Sequence, residues 1–131
     1  MLNKTCYILC DSSHAIAADA IDLFVYRNCF IPMNFYQMSY FLRSTLDSTQ
    51  LKETKEKLFS LSDEVWVFGV ITDEILEEII KAKQNNKEIK FFKIFDEDNV
   101  IKKIIFINKE NAEFNEKLCS RYSIEDLSRM I

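Results

Sequence analysis

The stretch SDEVWVFGVITDEILEEIIKA, residues 62–82, carries the clearest indication of fold in this sequence. Its first part, Glu64–Phe68, is an apolar run of strand length, which is typical of a central strand covered on both faces. Thr72 is a good helix N-cap, and four apolar residues follow it at helical spacing: Ile75, Leu76, Ile79 and Ile80. The stretch therefore predicts a buried strand that leads, through the chain's only glycine, into an amphipathic helix.

Strands and helices alternate on both sides of this unit. Further strands are predicted over residues 5–10, 29–33, 89–95 and 100–107. Helices are predicted over residues 13–27, over residues 47–61 behind a D-x-x-Q cap, and over residues 108–131 as one helix followed by a short one. Residues 34–46 fit a short helix or a helical loop, and residues 96–99 fit a tight turn or the start of a longer loop.

This alternation predicts right-handed crossovers and a parallel sheet. We expect one α/β domain over residues 1–131, a flavodoxin-like or Rossmann-like sandwich with about five mostly parallel strands and helices on both faces. Ligands of such folds bind beyond the carboxyl ends of the strands. The candidate ligand-binding residues at these ends are Cys10, Asp11, Ser12, Ser13, His14, Phe35, Tyr36, Gly69, Thr72 and Asp73.

Composition narrows the class of ligand. The net charge is −4 and no lysine or arginine cluster is present, which argues against a nucleic acid polymer as partner. With a single glycine the chain has no glycine-rich phosphate loop, so a bound phosphate would rely on helix N-termini and side chains. A small molecule or a protein is the better expectation.

Cysteine usage indicates reduced thiols. Cys6 and Cys10 lie about 13 Å apart along one predicted strand, whereas a disulfide needs Cα atoms within about 7 Å. Cys29 and Cys119 are left unassigned. With one histidine and no C-x-x-C motif, neither a metal site nor a cofactor is expected.

The hydropathy pattern gives no sign of a membrane segment. The longest apolar runs fall far below the ~20 residues that a bilayer-spanning helix needs, and the start MLNKTCYILC lacks a cleavable signal pattern. A soluble, cytoplasmic protein with no membrane association is expected.

Three segments resemble a known family. KTCYILC at residues 4–10, SDEVWVFG at 62–69 and EEIIKAKQNNKEIKFF at 77–92 are similar to the nucleoside 2-deoxyribosyltransferase-like proteins. The resemblance covers residues 4–98, and its clearest part is DEVWVFG followed by the E-I-x-x-A-x-x-x-x-K helix. It implies a nucleoside- or nucleotide-type ligand, cleavage or transfer of an N-glycosidic (deoxy)ribosyl bond, and a homo-oligomer in which a neighbouring subunit completes the pocket.

The resemblance also implies catalytic roles. Glu78 takes the place of the glutamate that attacks the anomeric carbon, Tyr7 that of the tyrosine that orients it, and Asp63 that of a carboxylate that handles the base. This is coherent chemistry, because a poorly hydrated carboxylate stabilises or traps an oxocarbenium-like centre. Three departures stand against it: Glu74 replaces a helix glycine, Thr72 replaces an aspartate, and CDSSH replaces a small loop.

Each candidate also has a structural interpretation. Glu77 and Glu78 flank the apolar helix face about equally, so periodicity does not choose between them. Tyr7 fits a core tyrosine, Asp63 a helix-to-strand turn, His14 a cap or surface residue, and Phe35 and Tyr36 core packing instead of a base-stacking wall. Gly69 suits a tight turn in either case. The alternatives to an enzyme are therefore a catalytically inactive sensor or sequestering protein, and an oligomeric interaction subunit.

Overall fold

The computed structural model describes residues 4–11, 18–35, 42, 44–98 and 100–131. Its strands are β1 (Lys4–Cys10), β2 (Phe30–Met33), β3 (Glu64–Phe68), β4 (Glu88–Glu97) and β5 (Val100–Ile107). Its helices are α1 (Ala18–Arg27), α2 (Ser48–Leu61), α3 (Asp73–Gln84), α4 (Glu116–Arg121) and α5 (Ile124–Met130), with a 3-10 turn over Lys109–Asn111. The predicted start of the first helix and most of the segment 34–46 lie outside the described residues.

The five strands form one sheet in the order β2-β1-β3-β4-β5. Strands β2, β1, β3 and β4 run parallel, and β5 pairs antiparallel with β4. The strand order reverses between β1 and β3, which is the arrangement of flavodoxin-like folds. The predicted α/β class with a mostly parallel sheet is confirmed.

Helices pack on each face of the sheet. On one face, Ile21 and Val25 of α1 pack on the side chains of Cys6, Ile8 and Trp66, and we call this the α1 face. On the other, which we call the α3 face, side chains of α2 to α5 pack together over β1 and β3; among them are Phe59, Ile75, Ile79, Leu118 and Leu127. All five residues of β3 are buried, so the predicted central strand is confirmed.

The first residue of β3 is a carboxylate, and it lies buried on the α1 face. The side chain of Glu64 is 4% exposed. Its Oε1 accepts a hydrogen bond from Nε1 of Trp66 at 3.0 Å and pairs with Nζ of Lys90, also at 3.0 Å. The Lys90 ammonium in turn lies 5.4 Å and 5.3 Å from the ring centroids of Phe30 and Trp66. A buried carboxylate requires such partners, since it is costly to strip of water when unpaired.

Local capping explains where the helices begin. The predicted box at the start of α2 is present, with the Asp47 carboxylate accepting from the Gln50 N–H and the Gln50 side chain accepting from the Asp47 N–H. The Thr72 hydroxyl accepts from the Ile75 N–H at the start of α3, as predicted. The hairpin between β4 and β5 is tight, with Asp98 in the left-handed region at φ 53°.

The expected helix directly after β5 is wrong. The chain forms the 3-10 turn and then an isolated parallel bridge between Ile71 and Phe114, and α4 begins only at Glu116. The Ile71 N–H donates to the Glu113 carbonyl at 2.8 Å, and the Asn115 N–H donates to the Ile71 carbonyl at 3.0 Å. These bonds hold the segment extended, so a helix does not run through it. The short last helix, capped by Ser123, is confirmed.

None of the helices in the described ranges has the length and apolar character that a bilayer crossing requires.

The buried carboxylate predicts a stability effect. Glu64→Gln keeps an acceptor for Trp66 but leaves Lys90 without its counter-charge, and we expect the free energy of unfolding to fall by about 1–3 kcal/mol because Lys90 still reaches water in part. The control Glu88→Gln changes an exposed residue directly opposite Glu64 and should alter it by less than about 0.5 kcal/mol. Urea denaturation measures both, and equal effects would show that the buried pair is dispensable.

Candidate functional site

A cleft of about 210 Å³ lies where β3 ends. Gly69 follows the strand in the left-handed region, at φ 82°, and its N–H donates to the Phe92 carbonyl at 3.0 Å. A residue with a Cβ adopts this conformation only at a cost, which gives the chain's single glycine a structural reason for its position. The lining is mixed: its apolar residues come from both faces of the sheet, Phe92 and Ile94 from the α1 face and Ile107 from the α3 face, and its polar rim comprises Lys93, Asp96, Asn111 and Glu113.

The cleft exists because β4 is longer than β3. Pairing between the two strands ends at Phe68 and Phe92, so the last five residues of β4, 93–97, project beyond the carboxyl edge of β3. The chain after β5 then crosses back to the bridge at Ile71 and supplies Asn111 and Glu113. The cleft therefore lies between the β4 extension, the end of β3 and this returning segment.

The charge of the rim is slightly negative. Nζ of Lys93 and Oε1 of Glu113 form an ion pair at 3.1 Å. Asp96 adds a second carboxylate, so the lining carries one ammonium and two carboxylates. Such a rim offers acceptors to hydroxyl and amino groups, whereas a phosphate would meet net repulsion.

Glu78 lies elsewhere, in a groove of about 320 Å³ between α2 and α3. Its Oε1 pairs with Nζ of Lys55 at 2.8 Å, and its side chain is 23% exposed. Glu77 is exposed, so Glu78 is the more enclosed of the two carboxylates that periodicity did not separate. Glu74 also lines this groove.

Tyr7 and Phe35 lie on the same face of the sheet as Glu78. Tyr7 is buried in the core, and its ring meets that of Phe59 edge to face at 5.5 Å between centroids. Phe59 lines the groove, and the ammonium of Lys55 lies 5.7 Å from the ring centroid of Phe35. Three predicted site residues are thus grouped here, although Phe59 and Lys55 stand between them.

Asp63 lies at the amino ends of the strands, on the side of the sheet opposite to Gly69. Its Oδ2 accepts hydrogen bonds from the backbone N–H of Thr5 at 2.8 Å and from the Thr5 hydroxyl at 3.3 Å. The backbone N–H of Thr5 is the main reason that the pKa of Asp63 lies below its usual value. The length of β3 separates Asp63 from Gly69 by roughly 20 Å. The structure therefore does not bring Asp63 together with Gly69 and the other carboxyl-edge candidates.

Thr72 and Asp73 hold the protein's own elements together. The Thr72 hydroxyl caps α3, and Oδ2 of Asp73 pairs with Lys117 at 3.3 Å and with Arg121 at 3.2 Å. These pairs join the start of α3 to α4. Oδ1 of Asp73 is buried and has no hydrogen-bond partner within the described part of the chain.

The end of β1 places Cys10 and Asp11 beside the end of β3. Cys10 pairs in register with Phe68, so Asp11 follows at the switch point next to Gly69. Burial, reinforced by the charge of Asp11, raises the pKa of the Cys10 thiol to about 12. Cys10 is therefore a protonated, apolar neighbour of the site rather than a nucleophile. Ser12, Ser13, His14 and Tyr36 lie outside the described residues.

Sequence reasoning missed the polar rim and the lysine beside Glu78. Lys93 interrupts an apolar run, which is a weak signal, while Asn111 and Glu113 fall in a segment expected to be helical. Lys55 and Glu78 are on different helices, and no pattern in the chain indicates that they meet.

No protein-family model, curated protein or solved structure matches this chain. Within the described ranges, no group of three or more His, Cys, Asp or Glu side chains is arranged to hold a metal ion. The candidate sites therefore rest on their geometry and on the resemblance of the sequence.

Thiol accessibility gives a direct check of the carboxyl edge. Cys6 and Cys10 are buried, whereas Cys29 and Cys119 are exposed. At pH 8 only roughly one Cys10 thiol in ten thousand is ionised when its pKa is about 12. Iodoacetamide should therefore alkylate Cys29 and Cys119 in the folded protein and all four cysteines in urea, as read by peptide mass spectrometry. Alkylation of native Cys10 as fast as that of Cys29 would contradict this picture.

Proposed function

We propose that this protein binds a nucleoside- or nucleotide-type small molecule in the cleft beside Gly69. The observation that carries the proposal is the cleft itself, which combines apolar residues with a polar rim at the carboxyl edge of a mostly parallel sheet. The carboxyl edge is the side of the sheet on which α/β folds bind their ligands, and a mixed apolar and polar lining is typical of small-molecule sites. The sequence resemblance to nucleoside 2-deoxyribosyltransferase-like proteins supports the same class of ligand.

The lining suits a nucleoside with no phosphate best. A base has an apolar face, which fits the apolar part of the lining, Phe92, Ile94 and Ile107. Sugar hydroxyls both donate and accept, which fits the carboxylates of Asp96 and Glu113 and the amide of Asn111. The excess of carboxylates over lysine opposes an added phosphate. At about 210 Å³ the cleft is smaller than most ligand pockets, so part of the ligand remains in solvent.

Binding without turnover is the form of the proposal that the geometry favours. Glu78 is held by Lys55 in a groove whose lining shares no residue with the cleft. Asp63 accepts a hydrogen bond from the backbone N–H of Thr5 at the amino ends of the strands, away from the cleft. A sensor or a protein that sequesters its ligand needs neither residue, and no cofactor enters this proposal.

N-glycosidic bond cleavage or deoxyribosyl transfer is the second candidate function. It is favoured by one observation, that Glu78 is partly enclosed and lies on the same face as Tyr7. In this reaction the Glu78 carboxylate bonds to the anomeric carbon, the C–N bond breaks, the base leaves with a proton from an acid, and water then releases the sugar. The ion pair with Lys55 would have to open first.

Calorimetric titration with deoxynucleosides tests binding. We expect heat of binding with at least one deoxynucleoside and weaker binding of its 5′-monophosphate. Glu113→Gln removes a rim charge and should weaken binding about tenfold, the loss of one charge-assisted hydrogen bond. The control Glu110→Gln changes an exposed carboxylate of the same segment that does not line the cleft, and it should bind as the unaltered protein does.

Two results would overturn the binding proposal: no heat with any nucleoside at millimolar concentration, or equal effects of the two variants. Chromatography of the same mixtures for free base separates the two candidate functions. Release that Glu78→Gln abolishes and Glu77→Gln preserves would establish catalysis through Glu78. Binding with no base release supports the binder.

A further inference from the structure

The sheet has two unequal edges. The edge strand β2 is four residues long and contains Pro32, which has no N–H to offer a further strand. The edge strand β5 has eight residues and pairs only with β4. In an antiparallel pair every second residue directs its N–H and C=O away from the partner strand. Within the described residues no backbone group pairs with these outward groups of β5.

Only the first half of β5, residues 100–103, has features that keep another strand from pairing with it. The pairing with β4 shifts register between Phe95 and Asp96, and Lys102 and Lys103 lie at this bulge. Bulges and lysines are the devices that keep edge strands from pairing. The second half, Ile104–Ile107, has four consecutive apolar residues, no charge and a regular ladder.

The described residues cover the α1 face of this second half only in part. Phe106 is 56% exposed although its ring meets that of Phe92 at 5.7 Å between centroids. Ile104 lies on the same face and is only partly buried. Helix α1 makes its main contacts with β2, at the other end of the sheet. An open strand edge made of apolar residues is a template for pairing with another strand.

We propose that this half of β5 pairs antiparallel with β5 of a second copy of the chain, about a two-fold axis at Ile105. Ile104 of each copy then lies opposite Phe106 of the partner subunit, on the α1 face. Ile105 lies opposite the same residue of the partner on the α3 face, and the two five-stranded sheets become one of ten strands.

The charges of β5 permit it to pair with its own copy in the antiparallel register. In the antiparallel register, Lys102 and Lys103 of one copy lie at the opposite end of the contact from the same two residues of the partner. The nearest of these lysines are about 14 Å apart along the strand, whereas a parallel register would set them side by side. The assembly also closes, because it consumes both β5 edges and leaves only the short, proline-containing β2 edges outside. A short contact of this kind is small for a stable interface, so the dimer dissociates at low concentration.

Sedimentation velocity from micromolar to millimolar concentration tests the proposal on the ligand-free protein, so its outcome is independent of the proposed function. We expect a monomer–dimer equilibrium. Phe106→Glu should weaken the dimer at least about tenfold, because each copy places a carboxylate in the apolar contact. The matched control Phe95→Glu alters an exposed aromatic of β4, away from the β5 edge, and should dimerise as the unaltered protein does. Circular dichroism shows that both variants are folded.

Hydrogen exchange on the unaltered protein provides a second readout that needs no variant. Outward amides of Ile104–Ile107 should exchange more slowly as concentration rises, while those of β2 should not change. A protein that stays monomeric at millimolar concentration, or a dimer that Phe106→Glu and Phe95→Glu affect equally, would overturn the proposal. Concentration-independent exchange along β5 would overturn it as well.

Discussion

The complete burial of β3 is the constraint on which the rest of this structure depends. Its apolar side chains face both ways, so the sheet needs helices on each side. Its first residue, Glu64, brings a carboxylate into the interior, and the arrangement of Trp66 and Lys90 around it follows from the cost of leaving that charge unpaired. Because Lys90 belongs to β4, the same contact helps to fix the register between β3 and β4.

That register determines the candidate site. Because Glu64 is opposite Glu88, the last residue of β3 is opposite Phe92. The remainder of the ten-residue β4 therefore has no neighbour in β3. The space beside this part of β4 is the cleft, which is bounded by Gly69 and by the segment that returns to Ile71. The proposed binding cleft is thus a consequence of unequal strand lengths, and the antiparallel β5, which contributes Ile107 to its lining, is also the strand with the open edge.

The parts that the sequence predicted well are those governed by local pattern. The apolar run of β3, the Thr72 cap and the Asp47 box all depend on residues close in the chain, and each has the expected structure. The segment after β5 was mispredicted because its conformation depends on backbone bonds to Ile71, more than 40 residues away. The spacing of apolar residues within a segment does not indicate a hydrogen bond to a distant part of the chain.

The candidate catalytic residues show the same division. The position of Asp63 just before a parallel strand already implies the amino edge of the sheet, far from Gly69, whereas its assignment to the base followed from the resemblance alone. The pairing of Glu78 with Lys55 joins two helices and has no signature in the chain. The existence of the cleft required the register of β3 and β4, which apolar runs alone do not give.

We expect the ligand to bind beside Gly69 and not in the groove that holds Glu78. A titration of isotope-labelled protein with a deoxynucleoside, followed by amide nitrogen and proton chemical shifts, tests it residue by residue. The account predicts shifts at Gly69, Val70, Lys93 and Glu113, with Lys55, Asp63 and Glu78 unchanged. Shifts confined to Lys55 and Glu78, with Gly69 unmoved, would contradict it.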